Sequence, residues 1–372
     1  MSSFILEGDE IYASGSALVR DELSTVENLR FDRLEYGDNN LAMVLQNIDG
    51  GYRIRAKGPS LDLKPLFDEA QESDISNEAV DLAAEAEKPL IPFNLDFHGE
   101  FDWVVIGKER ELRKVNAQLQ CSPELCESVD TRGVTGQSNE FIYQIKRIDG
   151  IRELNFTAQN AGSFLKAMDL YDNMVGGAIT VRGRFNDNSA DKPFNGKVDV
   201  TKHTISNAPI LAKIASLLSV SGIGDALSGN GITFQHIVAQ INYAKGVAKI
   251  KDGKAYGPAL GITVEDGWVD TNAKQLYLNG TFVPSYTLNT ALDNIPVIGE
   301  VLTGGKGEGV FAANYKVSGE YPDNAEVTVN PLTMLAPGFL RNIFGGKSNK
   351  VVPPSAEKKS AVPAAAIDNK QN

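Results

Sequence analysis

Residues 257–344 read GPALGITVEDGWVDTNAKQLYLNGTFVPSYTLNTALDNIPVIGEVLTGGKGEGVFAANYKVSGEYPDNAEVTVNPLTMLAPGFLRNIF, and this stretch decides the fold. Runs at 275–283, 310–317 and 326–329 alternate apolar and polar positions, and Gly, Pro and Asn separate them. Such alternation marks half-buried strands, so the stretch reads as antiparallel sheet. In the first run Leu276, Leu278 and Phe282 share one face with Gly280, while Tyr277, Asn279 and Thr281 point the other way. Leu288, Leu292, Ile295, Ile298 and Leu302 recur instead at helical spacing, interrupted by Pro296. That spacing predicts a short or broken apolar helix crossing one face of the sheet.

The same grammar extends upstream. Strand-like runs at 4–6, 11–18, 26–34, 41–48 and 52–56 are punctuated by Gly8, Gly37-Asp38 and Asp49-Gly50-Gly51, residues that suit hairpin turns. The passage GPSLDLKPLFDEAQES then leaves the sheet, with Pro65 placed for the first turn of a helix that runs into an acidic, alanine-rich linker. Strands resume at Phe93. Phe164, Leu165, Met168, Tyr171 and Met174 form a helical stripe that Gly176-Gly177 is expected to stop, and APILAKIASLLSVSGIGDALSGNG is a further helical exit from the sheet. The division expected is a β segment at 1–67, a helix end and acidic linker at 68–92, a long β region at 93–344 and a disordered Lys/Pro/Ala-rich tail at 345–372. The fold class expected is mostly β with short α: an extended, curved antiparallel sheet forming an open apolar groove, crossed by short amphipathic helices.

Composition narrows the function. The net charge of -12 and the absence of Lys/Arg clusters argue against nucleic acid. The start of the chain lacks the basic and apolar regions of a secretory signal, and the most apolar stretch, 208–227, carries Lys213 and Asp225 and falls short of a membrane span. TGGKGEG at 303–309 has the glycines of a phosphate loop, but Lys306 is followed by Gly307 where Ser or Thr is needed, so a turn is expected there. His98, His203 and His236 have no companions at metal-ligand spacing, and no GxSxG elbow occurs, so neither an enzyme nor a cofactor is expected. Cys121 and Cys126 fit either a hairpin-end disulfide or two free thiols. What remains is apolar surface. The crossing segments look too short to cover one whole face of such a sheet, which leaves room for acyl chains or for a protein partner.

The residues GPALG (257–261), Val283-Pro284, Tyr286, Leu288-Asn289, Ile295-Pro296, Gly299, TGGKGEG, Tyr315, Ser318-Gly319 and Val329-Asn330-Pro331 leading to LAPGFLRNIF resemble the C-terminal region of AsmA-like proteins of the YhdP type. Ala161-Gly162, Tyr171, Gly176-Gly177 and Ala208-Pro209-Ile210-Leu211 fit the same pattern. The resemblance is specific from about residue 154 to residue 344. It implies a repeating β-groove that carries phospholipid acyl chains between bacterial envelope membranes without catalysis, in a periplasmic protein associated with the inner membrane. Leu276, Leu278 and Phe282 would line the groove. Leu288, Leu292, Ile295, Ile298, Leu302, Leu335, Phe339 and Phe344 would form a membrane-proximal end cap. Full members are longer and start with an N-terminal anchor, so an anchored part elsewhere is implied as a partner, and an oxidising compartment would favour the Cys121–Cys126 disulfide. The alternative expectation is an assembly module that binds an envelope protein through its apolar face.

Overall fold

The computed structural model describes residues 2–20, 25–65, 91–107, 110–217, 231–284, 312–321 and 324–330. The candidates Leu288, Leu292, Ile295, Ile298, Leu302, Leu335, Phe339 and Phe344, the 303–309 loop, most of the acidic linker and the tail lie outside them.

Alternating sequence becomes strand almost everywhere. The first hairpins are β1 (Ser2–Glu7), β2 (Ile11–Arg20), β3 (Thr25–Tyr36), β4 (Asn39–Ile48) and β5 (Gly51–Asp62). After the crossover come β6 (Asn94–Gly107), β7 (Arg110–Cys121), β8 (Cys126–Thr135), β9 (Asn139–Ile148) and β10 (Ile151–Ala158). Helix α1 (Ala161–Ala167) leads to β11 (Met174–Phe185) and β12 (Phe194–Ile205), and α2 (Pro209–Leu217) precedes β13 (Ile232–Ala244) and β14 (Val247–Tyr256). The described chain closes with β15 (Leu260–Asp270), β16 (Gln275–Pro284), β17 (Ala313–Glu320) and β18 (Glu326–Asn330).

These 18 strands form one large, curved, open sheet. Each strand pairs with the next in the chain, so β2 and β10 have both edges occupied and the described sheet ends at β1 and β18. All the pairs are antiparallel except β5–β6, which is parallel. That exception departs from the purely antiparallel expectation. Strand β6 starts beside Gly51, at the rim where β5 began, and this joint puts the strands on both sides of the acidic linker into a single sheet. Strand β5 also runs past its expected end at Ala56, through Gly58-Pro59 to Asp62. Pro59 falls where the β4–β5 register shifts, a place that needs no ladder donor from it.

Helix α1 is shorter than its apolar stripe. Asn160 caps it by accepting from the Ser163 N–H at 3.0 Å. Asp169 turns left-handed at φ 56, and the Leu170 N–H bonds the Leu165 carbonyl at 2.8 Å, closing the helix in a Schellman-type turn. Tyr171 and Met174 therefore lie beyond the helix, and Gly176-Gly177 sit within β11 at positive φ rather than stopping a helix.

The tight turns at 49–50, 149–150, 245–246 and 271–274 lie along one rim, whereas α1, α2 and the ends of β5 and β16 lie along the other, together with the turns at 37–38 and 136–138. Cys121 and Cys126 are disulfide-bonded across the β7–β8 hairpin, five positions apart. Closing so short a loop stabilises by about 2 kcal/mol in the chain-entropy account. Reduction, or the Cys121→Ser/Cys126→Ser pair, should lower unfolding stability by about that amount in urea titrations, with the far-UV β spectrum retained; a change below about 0.5 kcal/mol would show that the hairpin is held by its ladder alone.

Candidate functional site: an apolar trough

Residues paired directly across neighbouring strands point to the same face, so register lets a row be followed from strand to strand. One row runs Ala17, Leu29, Leu45, Ile54, Phe97, Leu119, Val129, Ile145 and Leu154 from β2 to β10. It continues through Gly183, Gly196, Ile241, Ile250, Gly267, Leu278, Val317 and Val327 to β18. Every member is apolar or glycine. A row on the opposite face, one residue away, reads Arg55, His98, Gln118, Asp130, Gln144, Asn155 and Arg182, then Lys197, Gln240, Lys251, Asp266, Asn279, Lys316 and Thr328. Every one of those is polar. The sheet thus has an apolar inner face and a polar outer face along nearly its whole length.

The sequence-derived parity in β16 holds. Leu278 belongs to the long inner row, and Phe282 to a parallel one that passes through Phe141, Ala158, Ile179, Val200, Ile237, Ala255 and Ile262 and goes on to Ala313. Leu276 follows Phe185, Phe194, Tyr243, Ala248 and Val269. On the outer face Tyr277 packs in a small cluster with Val247 and Trp268.

Curvature makes this face a trough. Strands β7 and β12 stand five strands apart, which is about 24 Å on a flat sheet. Helix α1, seven residues and so about 10 Å long, packs against β7, β8, β11 and β12. The two walls therefore rise around it. Glycine permits the bend where β11 meets β12: Gly183 and Gly196 face each other, and a β-carbon on Gly183 would lie 2.2 Å from the Asn195 carbonyl oxygen. At the tight-turn rim the walls are tied by charge. Arg152, 4% exposed, donates to both Asp187 oxygens, donates to the Cys126 carbonyl at 3.0 Å and stacks over Phe185 at 4.2 Å. Lys192 reaches Glu124 at 2.8 Å, and Arg147 pairs with Glu127 and Asp187.

The trough is unevenly filled. Beneath α1, Phe164 packs on Phe156 and Phe141 with ring centroids at 4.6 and 5.2 Å. Toward β18, Ile214 and Ala215 of α2 are buried with Leu276, Phe282, Leu260, Phe234, Tyr315 and Val317, and Lys213 donates to the Ala325 carbonyl at 3.1 Å. Leu276 and Phe282 are thereby covered by protein, with Phe282 0% exposed, while Leu278 is half-buried. Leu29, Leu45, Ile54, Phe97, Leu119, Leu154, Ile241 and Ile250 also stay half-buried, so much of the inner row still meets solvent. Phe185, Phe194, Val198 and Val200 neighbour these positions on the same wall.

Sequence reasoning missed the Arg152–Asp187 pair and also Arg110, which pairs with Asp169 and Asp172 at the end of α1. Their partners lie tens of residues away, so no local pattern announces them. His203 is buried against Phe234, rings near-parallel at 13° and 5.5 Å apart, with neither ring nitrogen hydrogen-bonded among the described residues. Burial first, and the nearby His236 second, push its pKa down and keep it neutral. Among the described residues no group of three His, Cys, Asp or Glu side chains converges to hold a metal, and no helix is long and apolar enough to cross a membrane. No protein-family model, curated protein or solved structure matches the chain.

The charge clamp makes a pH prediction. Its hydrogen bonds from Arg152 hold the Asp187 carboxyl below the ordinary carboxylate range despite burial. A depressed carboxyl contributes stability that is present above its unfolded pKa and lost as pH falls through its folded one. Asp187→Asn strands Arg152 in the wall and should cost about 3 kcal/mol at pH 7. In denaturant titrations the gap between wild type and variant should narrow as the pH drops below about 4; a gap unchanged at pH 3 would mean that the pair contributes no pH-linked stability.

Proposed function

We propose that the chain is a non-enzymatic lipid-groove segment of a cell-envelope protein, which shelters phospholipid acyl chains and helps phospholipid pass between membranes. The observation that carries this reading is the unbroken apolar row over seventeen strands, β2 to β18, set against the polar row behind it. Followed around the curled sheet at the spacing of neighbouring strands, the row has a contour length of about 80 Å. Each methylene taken out of water there contributes about 0.8 kcal/mol. These contacts are non-directional and similar from strand to strand, so a chain meets no deep trap as it slides. The half-buried inner positions supply room for it, and the Cys121–Cys126 disulfide suits an oxidising compartment such as the periplasm.

One observation favours the assembly reading. At the β1 end, Ile5 and Leu6 are 73% and 53% exposed on an edge strand with no described partner beyond it. Such an edge accepts a strand from another polypeptide.

Photoreactive residues placed at Phe97 or Ile241 on the inner row, and at Gln118 or Lys197 on the outer one, separate the two. The groove reading expects inner probes to capture phospholipid in cells and outer probes to capture none. Capture of one stoichiometric protein by the inner probes, with no lipid, would replace that reading by the assembly one.

A further inference from the structure

We propose that α1 is a gate across the trough and that Arg110 is its latch; this rests on the lipid-groove reading. The helix leaves the sheet between β10 and β11 and lies inside the trough against both walls. Its Phe164 ring sits on Phe141 and Phe156, members of the inner rows, so the place an acyl chain would pass at β9 and β10 is filled by protein. The neighbouring inner positions, Leu154 and Val181, are half-buried, so the obstruction is local.

The helix is fastened unevenly. At its start Gly162 lies so close to β11 that a β-carbon would come within 2.2 Å of the Met174 carbonyl oxygen, and nothing larger fits. Its end, where Ala167 and Met168 pack in the core, is also tied to the other wall by a side chain. Arg110, the first residue of β7, donates to the Lys166 carbonyl at 2.6 Å, to both oxygens of Asp172 at 3.1 Å and pairs with Asp169 at 2.7 Å. Arg110 is mostly covered while Asp169 and Asp172 are roughly half exposed, so these are ion pairs of modest strength at the mouth of the trough. Such bonds can break and re-form without unfolding the sheet. Lifting α1 off the sheet, its start included, takes Phe164 off its two partner rings and joins the apolar positions on either side into one path.

The structure supplies the lock that tests this. A β-carbon at Gly136, in the β8–β9 turn, would lie 3.9 Å from the Ser163 β-carbon, within the range a disulfide needs. Gly136 has φ +59, so Gly136→Cys adds slight strain, and the reduced double variant serves as its control. The assay follows a fluorescent phospholipid passing between vesicles of phosphatidylethanolamine and phosphatidylglycerol, with binding of the same probe measured separately. Wild type is run with and without reductant to account for Cys121–Cys126. In the oxidised Gly136→Cys/Ser163→Cys protein, binding is retained while transfer falls to background, and reduction restores it. Arg110→Gln, which keeps the fold and removes the charge, speeds transfer by about threefold to tenfold, the range expected for losing surface ion pairs. Equal transfer by locked and reduced proteins overturns the gate and leaves the lipid reading in place. Wild type that neither binds nor transfers the probe overturns both.

Discussion

One face of a sheet this long has to leave water, and the described helices are too short to cover it. That constraint organises the molecule. Along seventeen consecutive strands the inner row contains only apolar residues and glycine, while the row behind it from β5 onward is polar throughout. A compact β-sandwich meets the same constraint by laying a second sheet on the apolar face. Here the sheet curls upon itself instead, and α1 and α2 fill parts of the trough without closing it.

Curling brings distant strands together, and polar groups mark the places where it does. Arg152 spans β8, β10 and the loop after β11, and Arg110 ties β7 to the end of α1. Both arginines are mostly withdrawn from solvent and have their donors spent on carboxylates and carbonyls, the condition under which a covered guanidinium is tolerated. Glycine works on the same bend from the other side. Gly183 facing Gly196 removes two side chains where inner positions crowd most, and it leaves the row apolar. The trough is thus shaped by a few close contacts and lined by many interchangeable ones. A lining of that kind is suited to cargo recognised by its greasiness rather than by its pattern of polar groups.

Much of this was legible from residues alone. Period-two alternation fixes strand and face together, so the facing of Leu276, Leu278 and Phe282 followed from position alone, as did the turns at Gly37-Asp38 and Asp49-Gly50. The parallel β5–β6 joint was hidden, because strand direction after a long connection leaves no local trace. The length of α1 was overestimated because its apolar stripe continues into β11, where Met174 faces the same core for a different reason. That Leu276 and Phe282 are buried in one cluster with Ile214 and Ala215 of α2 depends on where a distant helix docks, and the Arg110 latch likewise depends on where α1 docks. Tertiary placement of this sort cannot be read from spacing.

Whether the trough holds acyl chains is measured most directly by native mass spectrometry of the protein purified from envelope fractions without detergent. A series of masses heavier than the bare chain by one or more phospholipids, with the same lipids recovered on extraction, is the expected result. A single lipid-free species, monodisperse and folded, would contradict it.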